Sequence, residues 1–237
     1  MSKVGDVLTA KTANWNFSHN DISNLLKHIE RSIPEYKLGH QLILQLSDFF
    51  VQKNCHVYDL GCSSGKLIED VCNRHSEKKA SFIGIDVEPK MINYALARAE
   101  DKKKELAFYK ANILDYSFKP CNLFIAYYTI QFLNSMERKR IVKEVYKKLN
   151  MGGAFVLFEK VRASSSITQE IMTELYQDYK SNEGYTGDEI LAKGRSLRGV
   201  LNILTTEQNI FNLKKAGFSS VTSIYKHLCF EGFLAIK

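Results

Sequence analysis

An α/β fold with a mostly parallel sheet is what this sequence predicts, on three observations. Short apolar strands alternate with helical stretches, a turn of small residues joins one strand to its helix, and an acid closes the next strand. The alternation fixes the topology, because parallel neighbours need a crossover of a dozen residues or more, which a helix supplies. Composition agrees with a folded chain: 45% hydrophobic and 25% charged residues with only 3 Pro exclude disorder and collagen-like repeats. At 237 residues, about 70–75% of the unfolded surface is buried, which suits one domain with a full core.

Residues 1–40 read as a polar, aromatic-bearing lead-in with an amphipathic helix. Over 38–51 the apolar residues Leu42, Leu44, Leu46, Phe49 and Phe50 fall in a helical window, and His56–Leu60 is a short strand stopping at Gly61. A helix over 66–73 follows, then a strand over 82–86, a helix over 89–100, strands over 106–110 and 123–128, a helix over 137–149 and a strand over 154–159. Residues 41–160 are thus the core of the single domain. The stretch 161–204 is longer than an ordinary crossover and rich in Ser, Glu, Tyr and Gly, which fits either a helical lid on the carboxyl side of the sheet or two packed surface helices. Over 205–237 a helix stops at Gly217, and strands over 221–225 and 230–236 close the sheet edge as an antiparallel pair.

The excess of 33 basic over 26 acidic side chains, a net +7, is a weak pointer to a polyanion, since the lysines are spread and only Lys102-Lys103-Lys104 is compact. No run of about 18 uninterrupted apolar residues occurs, and the amino terminus lacks an apolar run, so a cytoplasmic protein without a membrane partner is expected. Five scattered cysteines, and six histidines with no H-x-x-x-H spacing, predict neither disulfides nor a metal.

The strongest chemical signal is the turn from Asp59 through Gly61, Cys62 and Ser63 to Gly65. Small residues let the backbone pass close to a ligand, and the helix that follows offers free N–H groups. Neither a phosphate loop nor the usual dinucleotide fingerprint is present. Asp86, 21 residues after Gly65, strengthens the signal, because an acid at that place in the next strand hydrogen-bonds the hydroxyls of a nucleoside ribose.

The stretches D-L-G-C-S-S-G, I-D-V and A-N-I-L-D together resemble the core of the class I S-adenosylmethionine (SAM) dependent methyltransferases, a Rossmann-like, seven-stranded fold with an antiparallel C-terminal hairpin. The resemblance implies SAM as cofactor or substrate. It also implies that Asp59, Gly61, Cys62 and Ser63 serve its methionine part, Asp86 and Val87 the ribose, and Asn112 and Ile113 the adenine. Nearly the whole chain is similar to one branch, the carboxy-SAM synthases, which make the cofactor for wobble-uridine tRNA carboxymethylation. The likeness runs through N-W-N-F, I-E-R-S-I-P-E-Y, Y-T-I-Q-F-L, L-N-M-G-G, D-Y-K-x-x-x-G-Y and F-E-G-F-L-A-I-K. In that branch the residue matching Tyr36 helps hold SAM.

Three departures stand against that likeness. Tyr127 replaces an Asn before the T-x-Q-F motif, Val87 replaces an Asn after Asp86, and Gly194 falls where the branch has a carboxylate-pairing Arg. A bidentate Arg is hard to replace. Arg198, four residues on, faces the same way if the helix continues, so it is the substitute from one turn further along. The aromatic residues Trp15, Phe17, Tyr127, Tyr128, Phe132, Tyr176, Tyr179 and Tyr185 suit a sulfonium cation. Tyr127, Phe132, Tyr176 and Arg198 are therefore the candidate reaction residues, and Glu159, His19 and His40 the candidate bases.

An aromatic, carboxylate-poor site favours methyl transfer to a small molecule as the default chemistry. Carboxy-SAM synthesis from SAM and prephenate, cyclisation of SAM to azetidine-2-carboxylate and methylthioadenosine, and a non-catalytic SAM- or tRNA-binding role are the alternatives. The partners that go with these are a small-molecule substrate, a homodimer, and a tRNA pathway reached only indirectly.

Overall fold

The structure, a computed structural model of the chain, describes residues 1–19, 21–99 and 105–237. The compact basic run at Lys102-Lys103-Lys104 and the expected helix end at Glu100 lie outside the described residues. The chain opens with a hairpin, β1 (Ser2–Gly5) and β2 (Leu8–Ala10), followed by helices α1 (Ile22–Ser32) and α2 (Tyr36–Phe50). The core then alternates as β3 (His56–Leu60), α3 (Lys66–Arg74), β4 (Ser81–Asp86), α4 (Pro89–Ala99), β5 (Leu106–Lys110), β6 (Cys121–Tyr127), α5 (Ser135–Lys148) and β7 (Leu149–Arg162). Helices α6 (Ser166–Asn182) and α7 (Gly187–Ser196) form the insertion. A two-residue β8 (Leu204–Thr205), α8 (Thr206–Ala216), β9 (Ser220–His227) and β10 (Phe230–Ile236) complete the chain.

The seven expected strands make one path, β5-β4-β3-β6-β7-β10-β9, with β8 added beside β7. The first five on that path pair in parallel, and β10 is antiparallel to both β7 and β9. Both faces are covered, and the strand sequences show it. On one face of β3 and β6, Val57, Leu123 and Ile125 pack with Ile43, Leu67, Ile68 and Ile92 from α2, α3 and α4. On the other, Tyr58, Leu60 and Phe124 pack with Ile141, Val142, Val145 and Leu213 from α5 and α8. Alternate residues therefore serve opposite layers, as the pleat requires.

Helix starts follow local chemistry. Asn134 with Glu137, Thr186 with Glu189 and Thr205 with Gln208 form capping boxes at α5, α7 and α8. The last of these helices stops at Gly217, which adopts the expected left-handed conformation. Two expectations change. The strand expected over 154–159 runs from Leu149 to Arg162, because α5 passes straight into it at its buried C-cap Leu149. The lead-in, read from the sequence only as polar and aromatic-bearing with a helix, contains the β1–β2 hairpin, turned by Asp6 and Val7 at φ 51° and 63°. Two positive-φ residues match the twist of a two-residue hairpin, but Asp-Val lacks the Gly or Asn that normally signals it.

The hairpin and the insertion form one cover over the carboxyl ends of the strands. Ala13 and Trp15 donate backbone hydrogen bonds to the Arg195 and Ser196 carbonyls at the end of α7, at 2.9 and 3.0 Å. Val4, Leu8, Trp15, Leu25 and Met91 close a small core beneath it. Among the described residues, no helix is long and apolar enough to cross a membrane.

Candidate active site

The strand order reverses between β3 and β6, where the connections leave in opposite directions and open a crevice at the strands' carboxyl ends. A cavity of about 450 Å³ lies there. In its first half, the Asp86 carboxylate at the end of β4 accepts the Ser63 N–H at 2.8 Å and the Glu88 N–H at 2.9 Å. Those two bonds fix the carboxylate at the cavity wall. Burial pushes its pKa up against them. Asn112 and Ile113 lie further along the same wall. Gly61, at φ 74°, passes under the cavity, where a Cβ would meet the Thr129 side chain at 2.3 Å, so only glycine fits. An acid held at the wall, an amide and an apolar residue further along, and bare backbone between them are the residues that the sequence resemblance implies for SAM.

The second half lies under the cover and is built differently. Trp15, Phe17, Tyr127, Tyr128, Phe132, Tyr176 and Phe230 give it aromatic walls. Two ammonium groups enter it, Lys160 from β7 and Lys193 from α7. Lys160 Nζ sits 4.4 Å from the centroid of Tyr176, and Lys193 Nζ lies over the Trp15 indole. Neither lysine has a carboxylate partner among the described residues. A third lysine, Lys180, stacks on Tyr176 at 4.5 Å from behind. Burial and the neighbouring Lys160 push its pKa down to about 8, and burial with both other lysines holds Lys193 well below the usual ammonium range. Among the described residues, the carboxylates on the cavity wall are Asp86 and Glu88, in the other half. The second half thus combines aromatic rings with lysines that have no carboxylate beside them among the described residues.

Residues 57–153 match the family model of a methyltransferase domain. The carboxy-S-adenosyl-L-methionine synthase of Staphylococcus epidermidis is 35% identical over 224 residues, which is 94% of this chain and 97% of that protein. The Campylobacter jejuni enzyme of the same name is 34% identical over 209 residues, 88% of each chain. The chain belongs to the carboxy-S-adenosyl-L-methionine synthase family. Solved structures agree on the fold. Human N-acetylserotonin methyltransferase, in complex with SAM, superposes with a TM-score of 0.59 at 14% identity, covering 92% of this chain and 56% of that one. A putative Haloferax volcanii methyltransferase, in complex with its Trm112 activator, gives 0.61 at 14% identity, covering 92% and 98%. The family member described here is thus a SAM-dependent transferase.

Of the residues expected at the site of this carboxy-SAM synthase family member, Tyr36, Gly61, Ser63, Asp86, Val87, Asn112, Ile113, Tyr127, Phe132 and Tyr176 line the cavity. Asp59 and Cys62 do not; they are buried one layer below the turn, and Cys62 packs beneath Gly84. Burial, and then the Asp86 charge, push the Asp59 pKa up to about 8. Arg198 needs a correction. Helix α7 stops at Ser196, so helical spacing no longer relates position 198 to 194, and Arg198 is exposed and outside the cavity. The cation that reaches the cavity from α7 is the preceding residue, Lys193.

Tyr127 presents its ring, while its hydroxyl donates to the Tyr36 carbonyl at 2.6 Å, a contact for which Gly39 leaves room. The Tyr176 hydroxyl donates to the Ser32 carbonyl at 2.7 Å and ties α6 to the end of α1. Tyr179 and Tyr185 lie outside the lining. The candidate bases fare no better. Glu159 is fully buried and paired with Arg138, His40 packs on Tyr36 and Tyr127, and His19 rests on Trp15, all outside the lining. Sequence reasoning missed Lys160, Lys193 and His28. Lysines on a helix or a strand end read as solvated, and nothing local to residue 28 marks it.

Proposed function

We propose that this chain makes carboxy-SAM, with SAM in the Asp86 half of the cavity and an anionic carboxyl donor of the prephenate type in the aromatic half. The observation that carries this reading is the pair of lysines, Lys160 and Lys193, which have no carboxylate partner among the described residues and face a space walled largely by aromatic rings. It adds cations to the aromatic, carboxylate-poor site expected: the Arg that resemblance places at position 194 is missing, and Lys160 and Lys193 are the ammonium groups in the cavity lining. The names of the relatives point the same way.

Bound SAM supplies a methyl carbon activated by its sulfonium. The residues of this chain do the rest. Asp86 and Asn112 orient the nucleoside, and the rings of Tyr127 and Phe132 line the boundary between the halves, where cation–π attraction favours a sulfonium. Lys160 and Lys193 hold the donor's carboxylate, each fixed against an aromatic face and stripped of most water, so that attraction to an anion is strengthened. The cover built from the hairpin, α6 and α7 excludes water from the carboxyl group in transit. With prephenate the overall balance is SAM plus prephenate giving carboxy-SAM, phenylpyruvate and water. The methyl group loses one hydrogen, and the donor loses its carboxyl and hydroxyl groups.

A second reading, methyl transfer to an anionic acceptor, is favoured by one observation: Tyr127 and Gly194 both depart from the branch's pattern. Incubation with SAM and prephenate followed by mass spectrometry separates the two. Carboxy-SAM with phenylpyruvate is the expected result. S-Adenosylhomocysteine, formed with an anionic acceptor while prephenate stays intact, would establish methyl transfer instead.

A further inference from the structure

His28, on α1, lies on the wall of the second half of the cavity and is 2% exposed. Its two ring nitrogens have different surroundings. Nδ1 is 3.1 Å from Asp6 Oδ2 and 3.2 Å from the Tyr185 hydroxyl. That hydroxyl donates to the same Asp6 oxygen at 2.6 Å, and Arg31 pairs with the other. Burial pushes the Asp6 carboxyl up, but the bonds from Tyr185 and Arg31 outweigh it and hold its pKa low, so the carboxylate is ionised and can only accept. The ring proton therefore sits on Nδ1, donated to Asp6. Nε2 is left as a lone-pair acceptor, buried and without a partner among the described residues. A buried acceptor left unmade costs stability unless something arrives to fill it.

The neighbour across from it is Lys193. The His28 ring and the Lys193 ammonium both lie against the Trp15 indole, with 5.6 Å between the His28 and Trp15 centroids. Burial, and then the charge of Lys193, push the His28 pKa down to about 3, so the imidazole is neutral at physiological pH. An acceptor and a cation thus both lie against the one indole.

We propose that His28 is a recognition residue of the second-substrate half: its Nε2 accepts a hydrogen bond from a hydroxyl of the anion that Lys193 holds, so the ligand class is a hydroxy carboxylate. Asp6 is the positioning residue that fixes the tautomer. The β1–β2 hairpin, otherwise remote from the chemistry, contributes through it. The inference rests on the reading that this half takes an anion, and its test separates the two.

The experiment is calorimetry on the SAM-loaded full chain with two probes that differ by one hydroxyl, phenyllactate and 3-phenylpropionate. The wild type is expected to prefer phenyllactate about fivefold to tenfold, the worth of one buried hydrogen bond. In His28→Asn the amide still donates to Asp6 but does not reach the position of Nε2, so the preference is expected to fall to about one while SAM affinity is unchanged. A wild type that binds both probes equally, or a variant that keeps the preference, overturns the role of His28 and leaves the anion reading standing. A wild type that binds neither probe removes both. A nitrogen NMR titration of the wild type does not depend on the variant folding. The Nε2 resonance of His28 should move with phenyllactate and not with 3-phenylpropionate, and an unmoved resonance contradicts the proposal.

Discussion

Asp86 and Lys193 line one cavity, and the proposed reaction gives them separable jobs. Asp86→Ala removes a carboxylate already aligned by the Ser63 and Glu88 amides, so SAM affinity should fall roughly 100-fold by calorimetry. Lys193→Met keeps the volume against Trp15 and removes the charge. It should raise the KM for an anionic second substrate by about 30-fold, while SAM affinity stays within about twofold. A uniform loss of both affinities in either variant would contradict the division. The two residues also differ in how legible they are. Asp86 is readable because strand, turn and helix are contiguous, and a fixed spacing of about twenty residues carries the chemistry. Lys193 and His28 meet through tertiary packing of helices more than 160 residues apart, and their local patterns are those of ordinary helix faces. The positions lost to Arg198 have the same cause: the end of a helix decided the outcome, and helix ends are the least regular part of the pattern.

Among the elements, the β1–β2 hairpin is the unexpected one, and it packs tightly against the insertion. Gly5, at φ 94°, lies so close to the Tyr185 ring that a Cβ would come within 2.2 Å of it. Gly5→Ala must therefore displace Tyr185, which also holds Asp6. A loss of about 1–3 kcal/mol in stability is expected, with faster amide exchange in α7 than in β3. Exchange that speeds up uniformly across the sheet would mean that the cover is not a separable unit. The core strands and helices were readable from alternation because each is buried on two faces by its own sequence. The hairpin was not, since its three- and four-residue strands carry too few residues for a period, and its turn is Asp6-Val7.

At the scale of the whole molecule, buried acids set how stability depends on pH. Asp59 has an unfolded pKa near 3.8 and a folded value of about 8, and Glu159, buried against Arg138, is pushed up to about 7. Between pH 4 and 8 the unfolded chain has lost these protons while the folded chain keeps them. Their contribution is complete below pH 4 and fades as the pH rises toward 8. Asp59→Asn, measured without SAM, should raise the melting temperature by roughly 3 °C or more at pH 8 and leave it almost unchanged at pH 4. The opposite trend would mean that Asp59 is charged in the folded protein. Asp59 lies in the layer under the turn, and the cavity lies above it.

The central claim is that this cavity joins a carboxyl group to the methyl carbon of SAM. SAM labelled with carbon-13 in its methyl group, incubated with the protein and prephenate, tests it most directly. The account predicts that the label stays on the sulfonium, as the CH2 carbon of carboxy-SAM. Label found on a methylated acceptor, with unlabelled S-adenosylhomocysteine beside it, would contradict it.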